Sequence, residues 1–161
     1  MPVDKKLLGI YLNDHLAGAT VGRELAKRSL GSNRDNEFGA FLEGLVVEIE
    51  EDRETLLEVM RSVGVGIDPL KRLVPLVGER VGRLKLNGSL FSYSPLSRLV
   101  ELEALALGVE GKLAMWVNLG ALPREGGLEE FDFKALASRA RAQRRGLEAQ
   151  RIEAARVGLG G

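Results

Sequence analysis

The residues of this chain best placed to do chemistry are polar side chains that fall where helices put their cores: His15, Asp52, Glu103, Glu110, Arg139 and Gln143. His15, the only histidine, sits mid-way along the stripe Leu8, Leu12, His15, Ala19, Gly22, Ala26. Asp52 is the single break in the most regular apolar repeat of the chain: Phe38, Leu42, Leu45, Ile49, Asp52, Leu56, Val59, Val63. Glu103 and Glu110 share the line Leu99, Glu103, Ala106, Glu110, Leu113, Val117. Gln143 shares Leu136, Ala140, Gln143, Leu147, Gln150, Ala154. An aspartate facing a histidine holds the imidazole N–H, as around catalytic or metal-bound histidines. Inward carboxylates from facing helices, with one histidine, make a hard divalent-metal site. The same groups can also simply satisfy one another, because buried charges need partners whatever their role. Both readings stand at this point.

Elements that would position these groups are legible from periodicity and punctuation. Helices are predicted over residues 4–29, 36–63, 69–86, 95–119 and 128–157, with no strand pattern, so the class is all-α and the chain a single domain spanning 1–161. Ser94 and Pro95 mark a helix start, since serine caps free N–H groups and proline fits the first helical position. The segment 30–36, rich in Gly, Ser, Asn and Asp, reads as a turn. Counted back from a turn near Asn33, His15 and Asp52 share a level of an antiparallel pair and should face each other. Counted from a turn over 120–127, Gln143 falls opposite Glu103, with Arg139 between the levels of Glu103 and Glu110. Gly18, Ala19, Gly22 and Ala26 are small, and either let a neighbouring backbone approach closely or leave room for a ligand. Each internal glycine costs about 1 kcal/mol relative to alanine.

Composition removes several function classes. There are 23 basic and 23 acidic residues, so no global charge draws the chain to nucleic acid or to an anionic membrane. Arg139, Arg141, Arg144 and Arg145 spread around their helix without interleaved aromatics and read as a solvated face. The absence of cysteine excludes disulfides, thiolate metal sites and cysteine nucleophiles. The apolar stretch 94–119 carries Glu101, Glu103, Glu110 and Lys112, unlike a spanning helix, and the N-terminal apolar run is too short for a secretory signal. A cytoplasmic, membrane-free protein is expected. Gly64-Val65-Gly66 and Gly108-Val109-Glu110-Gly111-Lys112 lack the spacing and the preceding strand of nucleotide-binding loops.

Two long helices, a crossover of about thirty residues holding a short helix, and two more long helices resemble the ferritin-like bundles with one long connection. Ferritin-like di-iron proteins place Glu on two helices and Glu-x-x-His on the other two. Here the inward polar residues are His15, then Glu48 and Asp52, then Glu103 and Glu110, then Gln143 and Gln150, and no Glu-x-x-His occurs. The resemblance therefore implies the four-helix architecture and a polar core, without iron chemistry. Two functions are expected on this basis: a non-enzymatic bundle acting by partner binding or self-association as a homo-oligomer, with no cofactor, or a divalent-metal protein using His15, Asp52, Glu103 and Glu110. The apolar character of helix 95–119 around more than one stripe favours association.

Overall fold

A computed structural model describes residues 2–69 and 92–160, and in these the chain forms four long helices with no strand. They are α1 (Lys5–Asn33), α2 (Gly39–Ser62), α3 (Pro95–Gly120) and α4 (Phe133–Leu159). The expected short helix over 69–86 lies, beyond residue 69, outside the described residues.

Local chemistry sets the helix ends. Asp4 accepts from the Lys6 and Leu7 backbone N–H groups at the start of α1. Ser94 accepts from the Ser97 N–H while the Ser97 hydroxyl accepts from the Ser94 N–H, a reciprocal cap with Pro95 at the first turn. The start of the last helix is corrected: Leu128–Glu130 forms only a 3-10 turn, and α4 begins at Phe133 with Asp132 as its cap. The first helix also runs on past residue 29. Asn33 stays helical because it is buried, its amide donating to the Ser29 carbonyl at 2.8 Å and to the Tyr93 hydroxyl at 2.7 Å.

Each helix packs on two neighbours: α1 on α2 and α3, and α4 on α3 and α2. Two contacts at different levels show each neighbouring pair to be antiparallel: Lys27–Glu50 with Thr20–Arg53, Arg28–Glu101 with Tyr11–Asn118, Arg144–Glu110 with Gln143–Lys112, and Arg139–Glu51 with Gln143–Glu48. Helices α2 and α3 are thus parallel across the diagonal, which a short loop cannot join. The ends of the connection are pinned at opposite ends of α1 by buried asparagines. Asn13 donates to the Gly66 carbonyl and accepts from the Asp68 N–H; Asn33 holds Tyr93 and accepts from Arg98 Nε. Glycine is required at the α2–α4 corner, where Gly127 has φ +102° and an added Cβ would stand 2.5 Å from the Ser62 carbonyl oxygen.

The core follows the predicted line on α2 at every position, including Asp52. On α3 it does not. The buried residues are Leu99, Leu102, Leu105, Val109, Leu113 and Trp116, with Glu101, Met115 and Leu119 beside them. Leu99 and Leu113 of the expected stripe are buried, but between and beyond them the inward positions shift back by one residue, to 102, 105, 109 and 116. With leucine, valine and alanine on several faces, periodicity could not choose, and the position of Trp116 and Leu102 on the inward side decided it by burying the larger area.

Candidate functional site

The polar layer forms around Asp52, which is 3% exposed. Arg139 donates to Oδ1 through both Nε and its terminal nitrogen; Lys112 Nζ and Gln143 Nε2 donate to Oδ2. Each carboxylate oxygen therefore accepts two hydrogen bonds, which fills the acceptor capacity of the group. Gln143 is the hinge of the cluster: its Oε1 accepts from Lys112 and its Nε2 also reaches Glu48 at 2.8 Å. Arg139 extends the network outward to Glu51 at 2.8 Å.

Three of the expected residues, Asp52, Arg139 and Gln143, thus meet as one cluster. The other three do not belong to it. Glu103 and Glu110 are exposed, because the core stripe of α3 is rotated away from them, and Glu110 pairs with Arg144 on the surface. Gln143 lies opposite Lys112 instead of Glu103, since the later start of α4 moves the centre of the turn. His15 lines the same cavity as Asp52 but does not face it at one level: Arg53 reaches Thr20 and Lys27 reaches Glu50, so residue 52 stands opposite the 20–27 stretch of α1. The four metal candidates consequently do not converge, and no group of three or more His, Asp or Glu with metal-ligand placement occurs among the described residues.

Beside the layer lies a cavity of about 240 Å³ between α1, α2 and α3. Its apolar walls include Ala19, Ile49, Leu56, Leu105, Val109 and Met115, with Asp14, His15, Asp52, Arg53, Lys112 and Trp116 as the polar members. Gly18 and Gly22 on α1 and Gly108 and Gly111 on α3 complete it. The Arg28–Glu101 and Tyr11–Asn118 bonds fix the register of these helices, setting Gly18 opposite Gly111 and Gly22 opposite Gly108. A Cβ added at any of the four would meet no atom within 4 Å. The glycines are therefore not there for close backbone approach. Gly22 and Gly111, half-buried, leave room inside the hollow, while Gly18 and Gly108 are exposed at its mouth, where a methyl group would meet solvent.

Two electrostatic features follow from this hollow. Burial draws the Lys112 ammonium below the ordinary lysine pKa, outweighing the opposing pull of Asp52. Burial likewise lowers the His15 pKa against the raising influence of Asp14. For His15 the unfolded chain binds the proton more tightly than the folded one, so stability is complete above the unfolded pKa near 6.5 and declines as pH falls below it. Titration of the single imidazole by proton NMR should give a midpoint below that of an unfolded peptide; a midpoint at or above it contradicts the burial of His15.

The chain has no significant match. This holds against family models, curated proteins and solved structures alike.

Sequence reasoning missed Lys112, Trp116 and Glu101. Lys112 counted as a charge against membrane insertion and as the end of a rejected phosphate-loop motif, although a lysine flanked by Gly111 and Leu113 beside the core line was the available signal. Glu101 is 2% exposed and forms a second polar cluster at the far end of the bundle, accepting from Arg28 at 2.7 Å and from the Tyr93 hydroxyl at 2.9 Å. Burial, with the nearby Glu101 charge adding to it, pushes the Tyr93 phenol up to about 12. Its stabilising contribution is intact below the unfolded value near 10 and is lost as pH rises through the folded one. Of the two tyrosines, Tyr93 should ionise near 12 in an ultraviolet titration of the folded protein; a Tyr93→Phe variant that leaves that late phase in place refutes the assignment.

Proposed function

We propose that this bundle binds a small, mostly apolar organic molecule in the cavity between α1 and α3. One observation carries the reading: a solvent-open hollow of about 240 Å³ with a mainly apolar wall is bordered by glycines on both facing helices, Gly22 and Gly111 half-buried inside it and Gly18 and Gly108 exposed at its mouth. Glycine in a helix interior destabilises by about 1 kcal/mol, and no neighbouring atom within 4 Å requires it at these positions. Trp116 supports the same reading. It is fully buried in the cavity wall, and its Nε1–H has no hydrogen-bond partner among the described residues. A guest carrying an acceptor offers such a donor a partner, where leaving it unmet costs about 1–3 kcal/mol.

Volume limits the guest. An apolar cavity of about 150 Å³ suffices for benzene, while pockets for drug-sized molecules run from roughly 300 Å³. A single ring with a short polar arm fits between these. Benzyl alcohol is therefore the probe. Its addition should shift the Met115 methyl resonance saturably and raise the melting temperature; a methyl signal that is unmoved at millimolar probe overturns the proposal.

The path of the chain supports a ferritin-like arrangement: two antiparallel hairpins whose second and third helices run parallel, joined by the long connection whose ends lie at opposite ends of α1. The metal-dependent alternative loses its support, because its ligands are scattered and Asp52 is already saturated. Self-association is the second reading, favoured by Leu107 on α3 and Leu7 on α1, which are 67% and 63% exposed. Sedimentation at high concentration tests it, and a strictly monomeric protein removes it.

A further inference from the structure

Resting on the cavity as a small-molecule site, we infer that its guest is an aldehyde or ketone and that Lys112 captures it covalently as an iminium.

Amines become nucleophiles in proteins when they are taken out of water or set beside another cation. Lys112 meets both conditions. It belongs to the wall of an apolar cavity, its side chain is only 15% exposed, and it shares Asp52 with the Arg139 guanidinium. Among the described residues no other lysine lines this cavity. The charged and titratable groups around it are Asp52, Glu48 and Arg53 from α2, Arg139 from α4, and His15 and Asp14 from α1. Burial prevails over Asp52 and weakens the ammonium's hold on its proton relative to an exposed lysine.

Lys112 Nζ bonds Asp52 Oδ2 directly, which holds the nitrogen in place. The ammonium releases a proton to solvent water. The amine nitrogen then attacks the carbonyl carbon, a C–N bond forms as the C=O π bond breaks, and one N–H proton moves to the oxygen to give the carbinolamine. A proton from solvent returns to the hydroxyl, which leaves as water while the nitrogen lone pair closes the C=N bond. The sum is ammonium plus carbonyl to iminium plus water, with no oxidant or reductant consumed. Gln143, whose Oε1 accepts from Nζ and whose Nε2 donates to Asp52, is a positioning residue for this pair.

The experiment is reductive trapping of the full chain with benzaldehyde and cyanoborohydride, followed by peptide mapping. Benzyl-lysine should accumulate at Lys112 well ahead of the exposed Lys5, Lys6 and Lys134, and an excess of benzyl alcohol should suppress it there alone. The rate at Lys112 should reach its plateau at lower pH than at the surface lysines. Lys112→Arg should abolish the fast adduct; if that variant does not fold, protection by benzyl alcohol in the unaltered protein decides the matter. Labelling spread over the surface lysines with no excess at Lys112 overturns the inference. If benzyl alcohol still shifts the Met115 methyl in that case, the cavity site stands and only the covalent chemistry falls.

Discussion

Asp52→Ala is expected to lower the unfolding free energy by about 3–5 kcal/mol, the cost of removing one partner from a buried ion cluster. The four donors that converge on this carboxylate lose their acceptor together. They are not equally stranded. Arg139 is about a third exposed and keeps Glu51, so its guanidinium recovers solvent; Lys112 and Gln143 are deeper and recover less. Lys112 can shed its proton, which holds the loss toward the lower end of the range. Against a typical domain stability of about 5–15 kcal/mol, even that end is severe. Urea unfolding measures it, and a change under about 1 kcal/mol would mean the layer is not what ties α2, α3 and α4 together. A combined Asp52→Leu, Lys112→Met and Gln143→Leu variant should come back close to the original stability, because well-packed apolar replacements of buried ion clusters are often neutral. Such a variant would keep the fold and lose the trapping chemistry.

The second large effect has the opposite sign. Converting Gly18, Gly22, Gly108 and Gly111 to alanine together should raise stability by roughly 2–4 kcal/mol, because each change restores helix propensity and none meets an atom within 4 Å. The same variant should bind benzyl alcohol at least tenfold more weakly, since the methyl groups added at Gly22 and Gly111 occupy the hollow. Residues that depress stability while serving a site are a common trade in natural proteins. Thermal unfolding and a probe titration, run side by side, check both halves. A destabilised variant would show that the glycines serve packing after all.

What could be read from the sequence divides by physical cause. On α2 the apolar repeat was unambiguous, and every residue from Phe38 to Val63 on that line is buried, Asp52 among them. On α3, apolar residues on several faces left the rotation undetermined, so Glu103 and Glu110 were placed inward while Glu101 and Lys112 were not. Levels across hairpins were less legible still. A misplaced turn centre is doubled in the partner across the hairpin, and both turns lay later than expected: Asn33 extended α1 through its buried amide, and Asp132 delayed the start of α4. His15 therefore missed Asp52, and Gln143 met Lys112. Arg139 and Gln143 were found because their helix face was right even where their height was wrong. The cavity was half visible, in the small residues Gly18, Ala19 and Gly22; its other wall, Gly108 and Gly111, emerged only once the register of α1 against α3 was known.

The most direct test uses the protein's single tryptophan, which stands in the cavity wall. Trp116 emission should change saturably as benzyl alcohol is added to the unaltered protein and should change little in the four-alanine variant. A response that rises without saturation, and equally in both proteins, would contradict a binding site between α1 and α3.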